Sequence, residues 1–257
     1  MNIGISTACL YPAITENSLR TLLGLGFRKF EIFFNCSYEM QPPFLRGIKA
    51  MLDEYGAKVV SVHPYTAAFE SMIVFTDYPR RLDEGRELYR RYSHAAAFLG
   101  AKYIVMHGDK SCVLPDEAYY ERFHELDLLC RENGAILTQE NVNAFRSHDP
   151  GFIGRMREYL GDVKFTLDIK QCVRAGVDPF DMLDAMGENI VHFHVNDNDG
   201  RNSCLLPGLG RTDYSEIRKR LDAFGFAGSW ILEVYSKNFT EERQLRQSAD
   251  YLEQFIG

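Results

Sequence analysis

The sequence has no excess of basic residues and no long hydrophobic run. Its 257 residues include 29 Lys and Arg against 36 Asp and Glu, a formal net charge of −7. Nonspecific binding of nucleic acid depends on Lys and Arg neutralising phosphates, so this charge disfavours it. No run reaches the roughly 18 apolar residues of a membrane span, and the first residues lack the features of a secretory signal. We therefore predict a cytoplasmic protein with no nucleic-acid partner and no membrane partner.

Several sequence motifs of common enzyme classes are also missing. The six cysteines show no CxxC spacing, which predicts reduced residues with a packing role. The glycines at 208 and 210 lack the third glycine and the strand-turn-helix context of a dinucleotide fingerprint. There is no Gly-x-Ser-x-Gly elbow for a serine nucleophile. The sequence therefore contains no motif for CxxC thiol chemistry, for dinucleotide binding or for a serine nucleophile of this type.

What the chain does have is eight apolar runs that alternate with segments of helical periodicity. Their spacing of roughly 25 to 45 residues suits eight βα units that close a barrel in about 250 residues. Two half-size domains would also fit the length, but no linker or low-complexity stretch divides the chain. We predict a single (β/α)₈ TIM barrel over residues 1–257. The runs are IGIST, FRKFEIFF, KVVSVH, KYIVMHG, AILTQENV, KFTLDI, IVHFHV and SWILEV.

Acidic and imidazole side chains stand at or near the ends of six of these runs. All strand C-termini of a parallel barrel open onto one face, so residues far apart in sequence can converge there. Three carboxylates and one imidazole form a ligand set suited to Mn²⁺, Mg²⁺ or Co²⁺, with Zn²⁺ also compatible. For each residue alone, an ion pair at the rim is an equal alternative. The four are Glu140, Asp168, His194 and Glu233, and the two further histidines are His63 and His107.

The order of these motifs resembles the xylose-isomerase-like TIM-barrel superfamily over essentially the whole chain. The motifs are Glu140-Asn141, Leu167-Asp168, the run from His194 to Asp197, the Pro-Gly-x-Gly at 207–210, and the Leu-Glu-Val at 232–234. The resemblance implies metal ligation by Glu140, Asp168, His194 and Glu233. It also implies one of several chemistries that share this site, among them sugar isomerisation and epimerisation, inosose dehydration, and the phosphodiester cleavage of the endonuclease IV branch.

Departures from the family pattern limit the number of metal ions that we predict for the site. Gln171 stands where many relatives have a histidine three residues after the sixth-strand aspartate, and the sequence at 211–213 lacks a further ligand pair of the endonuclease IV branch. His63 and His107 match two histidines that complete a second metal position in that branch. We predict one divalent ion, with His63 and His107 as candidates for a second metal or for substrate binding, and no third metal.

The resemblance and the residue types together give each candidate a role. Glu140 and Glu233 are predicted to act both as ligands and as acid or base. Lys170 is predicted to polarise a substrate oxygen or donate a proton, with a solvated loop lysine as the alternative. Predicted substrate contacts are Arg146, Arg201 and Gln171, although surface charge is the alternative for each arginine.

These residues predict a divalent-metal-dependent isomerase or epimerase of a small sugar, sugar phosphate or polyol. Proton abstraction next to a carbonyl would give an enediolate. Alternatives are a dehydratase of a keto-polyol, an endonuclease IV-like phosphodiesterase, and a metal-binding protein without catalysis. The sequence leaves the oligomeric state open, a homo-oligomer included.

Overall fold

A computed structural model of the protein describes residues 3–110 and 114–256. Within these ranges, eight parallel strands form a closed barrel in which each strand pairs with the next and β8 pairs with β1. All eight predicted strands are present; β3 and β7 coincide with their apolar runs, and the other six are shorter than theirs. Their bounds are β1 Gly4–Ser6, β2 Lys29–Phe33, β3 Lys58–His63, β4 Tyr103–Met106, β5 Ile136–Glu140, β6 Lys164–Asp168, β7 Ile190–Val195 and β8 Ser229–Leu232.

The helices that cover the barrel follow from apolar stripes and local capping. Asp149 caps one of them by accepting hydrogen bonds from the backbone N–H groups of Gly151 and Phe152. Their bounds are α1 Thr15–Gly24, α2 Pro42–Glu54, α3 Ala67–Ile73, α4 Pro79–Leu99, α5 Asp116–Arg131, α6 Pro150–Leu160, α7 Ile169–Ala175, α8 Pro179–Met186, α9 Tyr214–Ala223 and α10 Arg243–Ile256. Among the described residues, no helix is both long and apolar enough to span a bilayer.

Polar side chains are buried on several strands, although the strand sequences are rich in apolar residues. The hydroxyl groups of Thr138 and Thr166 lie 2.7 Å apart on neighbouring strands, and Ser61 contacts both Glu31 and His192. Buried polar groups such as these are costly unless they are paired. Their pairing forms a hydrogen-bonded layer that supports the residues at the C-terminal ends of the strands.

The two long segments after β3 and β7 differ from each other. The sequence predicts a long loop over the C-terminal face after each of these strands, but the first segment contains α3, a short helix at residues 67–73 that packs against α4. The second, residues 196–213, contains only an isolated bridge between Asp197 and Leu205. Both follow C-terminal strand ends, as predicted.

Five cysteines lie in the described residues, and all are free thiols. Four are buried, in agreement with a packing role, whereas Cys36 is exposed, which the packing interpretation did not anticipate. Cys112 lies outside the described residues.

Candidate metal and substrate site

The four predicted ligands converge at the C-terminal end of the barrel. One potential donor atom from each of the four lies within 4.8 Å of the others, and all four residues are buried. Nδ1 of His194 is central, at 3.3 Å from Glu140 Oε1, 3.6 Å from Glu233 Oε2 and 3.8 Å from Asp168 Oδ2. Residues separated by up to 93 positions in the sequence therefore form one compact group of oxygen and nitrogen donors.

Two asparagines hold Asp168 in this group. The side-chain oxygen of Asn141 accepts a hydrogen bond from the Asp168 backbone N–H at 2.7 Å, and its amide nitrogen donates to the Asp168 carbonyl at 2.9 Å. Asn196 donates to Asp168 Oδ1 at 3.3 Å. Asp168 also caps α7 by accepting from the backbone N–H of Gln171. These contacts explain in physical terms why an asparagine follows Glu140 and why another lies two residues after His194.

Glu31 orients His194 from the barrel interior. Its Oε2 lies 3.0 Å from His194 Nε2 and 3.0 Å from His192 Nε2, and it accepts a hydrogen bond from Ser61 Oγ at 2.9 Å. A carboxylate on one imidazole nitrogen fixes the ring and leaves the other nitrogen free for a metal. His194 Nδ1 faces the three carboxylates, so it is the nitrogen that remains available to a metal.

Lys170 is buried beside the ligands, with 2% of its surface exposed. Its Nζ lies 2.5 Å from Glu233 Oε2 and 3.0 Å from Asp168 Oδ2. Burial lowers the pKa of this amine, but Asp168 and Glu233 outweigh it and hold the pKa well above the usual value. Lys170 is therefore a charged partner of two ligands at the start of α7, and the alternative of a solvated loop lysine is wrong.

His63 and His107 form a second group with Glu140. Their Nε2 atoms lie 4.0 Å and 3.7 Å from Glu140 Oε2, which has no hydrogen-bond partner among the described residues. The three donors lie within 4.8 Å of one another. Burial raises the pKa of the Glu140 carboxyl, and the nearby imidazoles of His194 and His107 only partly offset this.

Sequence reasoning missed Glu70, which lies behind His107. This carboxylate is fully buried in α3, accepts a hydrogen bond from the Gly108 backbone N–H at 2.6 Å, and lies 3.5 Å from His107 Nδ1. The hydroxyl of Tyr89 also donates to it, at 3.1 Å. No strand-end pattern pointed to Glu70, because it lies within the segment that was interpreted as a loop.

A cavity of about 420 Å³ opens above the ligands. Gln171 lines it, and its side-chain oxygen also accepts a hydrogen bond from the Asn143 backbone N–H. The catalytic and histidine candidates lie in the same wall, together with several aromatic residues. The lining includes Phe33, Asn35, His63, Tyr65, His107, Glu140, Lys170, Gln171, Glu233 and Tyr235.

The two predicted substrate-binding arginines do not line this cavity. Arg146 pairs with Asp116, donates to the Leu114 carbonyl at 2.5 Å, and stacks on Phe152. Arg201 lies in the exposed segment after β7. Arg146 is thus already paired with an acid at the start of α5, and the sequence contained no sign of this partner.

Comparison with known proteins agrees with the geometry. A sequence profile of the xylose isomerase-like TIM barrel family matches residues 19–255, and the chain belongs to this family. An uncharacterized protein of Mycobacterium tuberculosis is 24% identical, over 91% of this chain and 89% of that protein. An uncharacterized protein of Methanocaldococcus jannaschii is 20% identical, over 100% of this chain and 89% of that protein.

Several solved structures share the fold. A D-tagatose 3-epimerase-like protein has a TM-score of 0.78 and 20% identity, covering 100% of this chain and 97% of that chain. A 3-keto-D-glucoside 4-epimerase from E. coli has a TM-score of 0.75 and 18% identity, with 99% of each chain covered. A D-psicose 3-epimerase from Clostridium cellulolyticum H10 has a TM-score of 0.78 and 17% identity, covering 100% and 98%. At these identities, the similarity establishes a common fold.

Proposed function

We propose that this protein is a divalent-metal-dependent isomerase or epimerase of a small sugar or polyol. The observation that carries the proposal is the buried group of Glu140, Asp168, His194 and Glu233, whose donor atoms lie within 4.8 Å of one another beneath a cavity. The proposal also draws on the sugar epimerases among the proteins of the same fold. The reaction is transfer of a proton next to a carbonyl, through an enediolate of the substrate.

The charges of the site fit a divalent cation. The formal charges of the three carboxylates and the Lys170 ammonium are −3 and +1, which sum to −2. Such a charge is costly to bury unless it is compensated. Glu140 Oε2 also has no hydrogen-bond partner among the described residues, although it is buried. Mn²⁺, Mg²⁺, Co²⁺ or Zn²⁺ bound by these four residues would polarise the substrate carbonyl and hydroxyl oxygens.

The residues around the ligands have separable tasks. Glu140 and Glu233 come from β5 and from the end of β8, so one can remove a proton and the other can return it. Lys170 holds Glu233 at 2.5 Å and supplies positive charge near a developing oxyanion. Phe33 and Tyr235 line the cavity and limit the access of water to the intermediate.

Isotope exchange tests this mechanism. In D₂O, the metal-loaded protein should incorporate deuterium at the carbon next to the carbonyl of a ketose or aldose that it turns over. Glu140→Gln and Glu233→Gln should each lower kcat by roughly 10²-fold or more, the usual effect of losing a general base. Because both residues are also ligands, metal content is measured on the same samples. Glu158→Gln, an exposed glutamate on α6, is the matched control.

Two results would contradict the proposal. Turnover without any deuterium incorporation would indicate a hydride shift between carbons. Unchanged rates in both variants would exclude the two-glutamate mechanism. Loss of water from a keto-polyol, with deuterium exchange intact, would instead identify the related dehydratase.

The group of His63, His107 and Glu140 favours a second candidate, a phosphodiesterase of the endonuclease IV type. The absence of a histidine at Gln171 and the net charge of −7 oppose it. We therefore expect no useful cleavage of DNA that contains an abasic site. A gel assay showing nicking by metal-replete protein, abolished in Glu140→Gln, would replace the sugar proposal with the phosphodiesterase.

A further inference from the structure

A second cavity adjoins the cavity above the ligands. Its volume is about 470 Å³, close to the 420 Å³ of the first, and Tyr65 lines both. Its walls come from residues after β2 and β3 and from α3 and α4. Each cavity falls within the roughly 300 to 1,000 Å³ that is typical of small-molecule sites. A ligand that passes Tyr65 would therefore occupy both.

The lining of the second cavity combines apolar and hydrogen-bonding groups. Phe69 and Leu88 provide apolar surface, and Phe69 is 52% exposed and therefore accessible to a ligand. Glu84, Glu87 and Arg91 provide carboxylate acceptors and guanidinium donors along the same wall. Aromatic and aliphatic surface can pack against the C–H face of a sugar ring, while charged groups bond its hydroxyls.

The charges disfavour an anionic ligand. Two carboxylates and one guanidinium line the cavity. Glu87 pairs with Arg90 at 3.5 Å, and Arg91 already donates to the Ser37 carbonyl at 3.1 Å. Glu84 forms no ion pair with any described residue, so its oxygens are available as acceptors. A neutral polyhydroxylated ring matches this chemistry better than a phosphate, which requires uncommitted Lys or Arg.

We propose that the second cavity binds a second sugar ring of the substrate. The protein would then act on a glycoside or another two-ring keto-sugar, with the first ring at the metal ligands and the second ring against Phe69. This proposal rests on the proposed function for the reacting ring. Because Tyr65 lines both cavities, we take the occupant of the second cavity to be another part of the same substrate.

Matched one-ring and two-ring substrates test the proposal. The panel consists of methyl glycosides of keto-sugars and the corresponding glucosyl disaccharides with the carbonyl on the same ring carbon. In the wild type, kcat/KM should be at least about tenfold higher for the two-ring member, the scale expected for one apolar contact surface. Phe69→Ala should bring this ratio close to one. Phe98→Ala, an exposed aromatic on α4 outside this cavity, should keep it.

Equal kcat/KM for the two members in the wild type would overturn the proposal. If metal-loaded protein turns over no keto-sugar, the proposed function fails, and saturation-transfer NMR with the same disaccharides then decides about the cavity. Transfer to both rings that Phe69→Ala removes from one ring would support the second-ring site, and its absence would overturn it. A concentration-dependent dimer that Phe69→Ala dissociates would also overturn it, because a second copy of the chain would cover the cavity.

Discussion

At the scale of single residues, the site depends on pairs in which a buried carboxylate positions an imidazole. Glu31 lies 3.0 Å from Nε2 of His194, and Glu70 lies 3.5 Å from Nδ1 of His107. In each pair the other ring nitrogen faces Glu140. Contacts of this kind fix which nitrogen is available to a ligand. Substitution of Glu31 should therefore affect the predicted metal ligand His194, whereas substitution of Glu70 should affect His107.

Glu31→Gln should weaken metal binding without removing a ligand. The amide can still contact His194, but it does not supply the negative charge that favours the required tautomer. We expect a loss of about 10- to 100-fold in metal affinity, measured by titration with a competing chelator. Ser61→Ala removes a neighbour of Glu31 that does not itself touch His194, and it should have a smaller effect. Equal metal affinity in Glu31→Gln and the wild type would contradict this role.

The number of tightly bound ions should be about one per chain. The first group has four donors, His194 Nδ1 and the three carboxylates around it, whereas the second group offers three donors, one of which is shared through Glu140. Asp168→Ala should lose the ion because it removes a carboxylate ligand, and His63→Ala should largely retain it. Plasma mass spectrometry of purified protein measures the stoichiometry. Two equivalents, one of them lost in His63→Ala, would show a dinuclear site.

At the scale of elements, the long segment after β7 is held by one side chain. The carboxylate of Asp197 accepts hydrogen bonds from the backbone N–H groups of Asn198, Gly208, Gly210 and Thr212, at 2.8 to 3.0 Å. The preceding residue, Asn196, contacts Asp168. The Pro-Gly-x-Gly motif therefore folds back onto the strand that carries His194, which explains its position after β7.

Gly210→Ala tests this arrangement because the segment has no room for a methyl group. An added Cβ would lie 2.4 Å from the Asn198 carbonyl oxygen and 2.4 Å from Asp197 Oδ1. We expect the free energy of unfolding to fall by about 1–3 kcal/mol, as for other overpacked positions, in urea denaturation.

Gly47→Ala is the matched control for this prediction. Gly47 lies within α2 with open space around it, so alanine there should raise the free energy of unfolding by about 0.5–1 kcal/mol. Equal stability of Gly210→Ala and the wild type would show that the segment rearranges freely.

At the scale of the whole molecule, strand periodicity and the family resemblance together predicted the barrel and the convergence of the four candidate ligands. Glu140 and Asp168 end parallel strands, so the topology alone brings them to one face. The burial of Lys170 was not predictable, because it depends on two carboxylates being in place first. Glu70 and Arg146 have partners from other elements, and sequence spacing contains no signal for such pairings.

Metal removal should lower the stability of the whole barrel. The ligands come from four strand ends, so an ion would link β5, β6, β7 and β8, and its removal would leave three buried carboxylates near one ammonium. An ion at 100 times its Kd adds about 2.7 kcal/mol to the free energy of unfolding if it binds only the folded state. For a chain of this size, that corresponds to a rise in Tm of roughly 5–10 °C. Differential scanning calorimetry with Mn²⁺ and after chelation measures the difference. Asp168→Asn should abolish the shift, and Glu158→Gln, at an exposed position on α6, should retain it. A Tm that is independent of metal in the wild type would contradict a structural link between these strands.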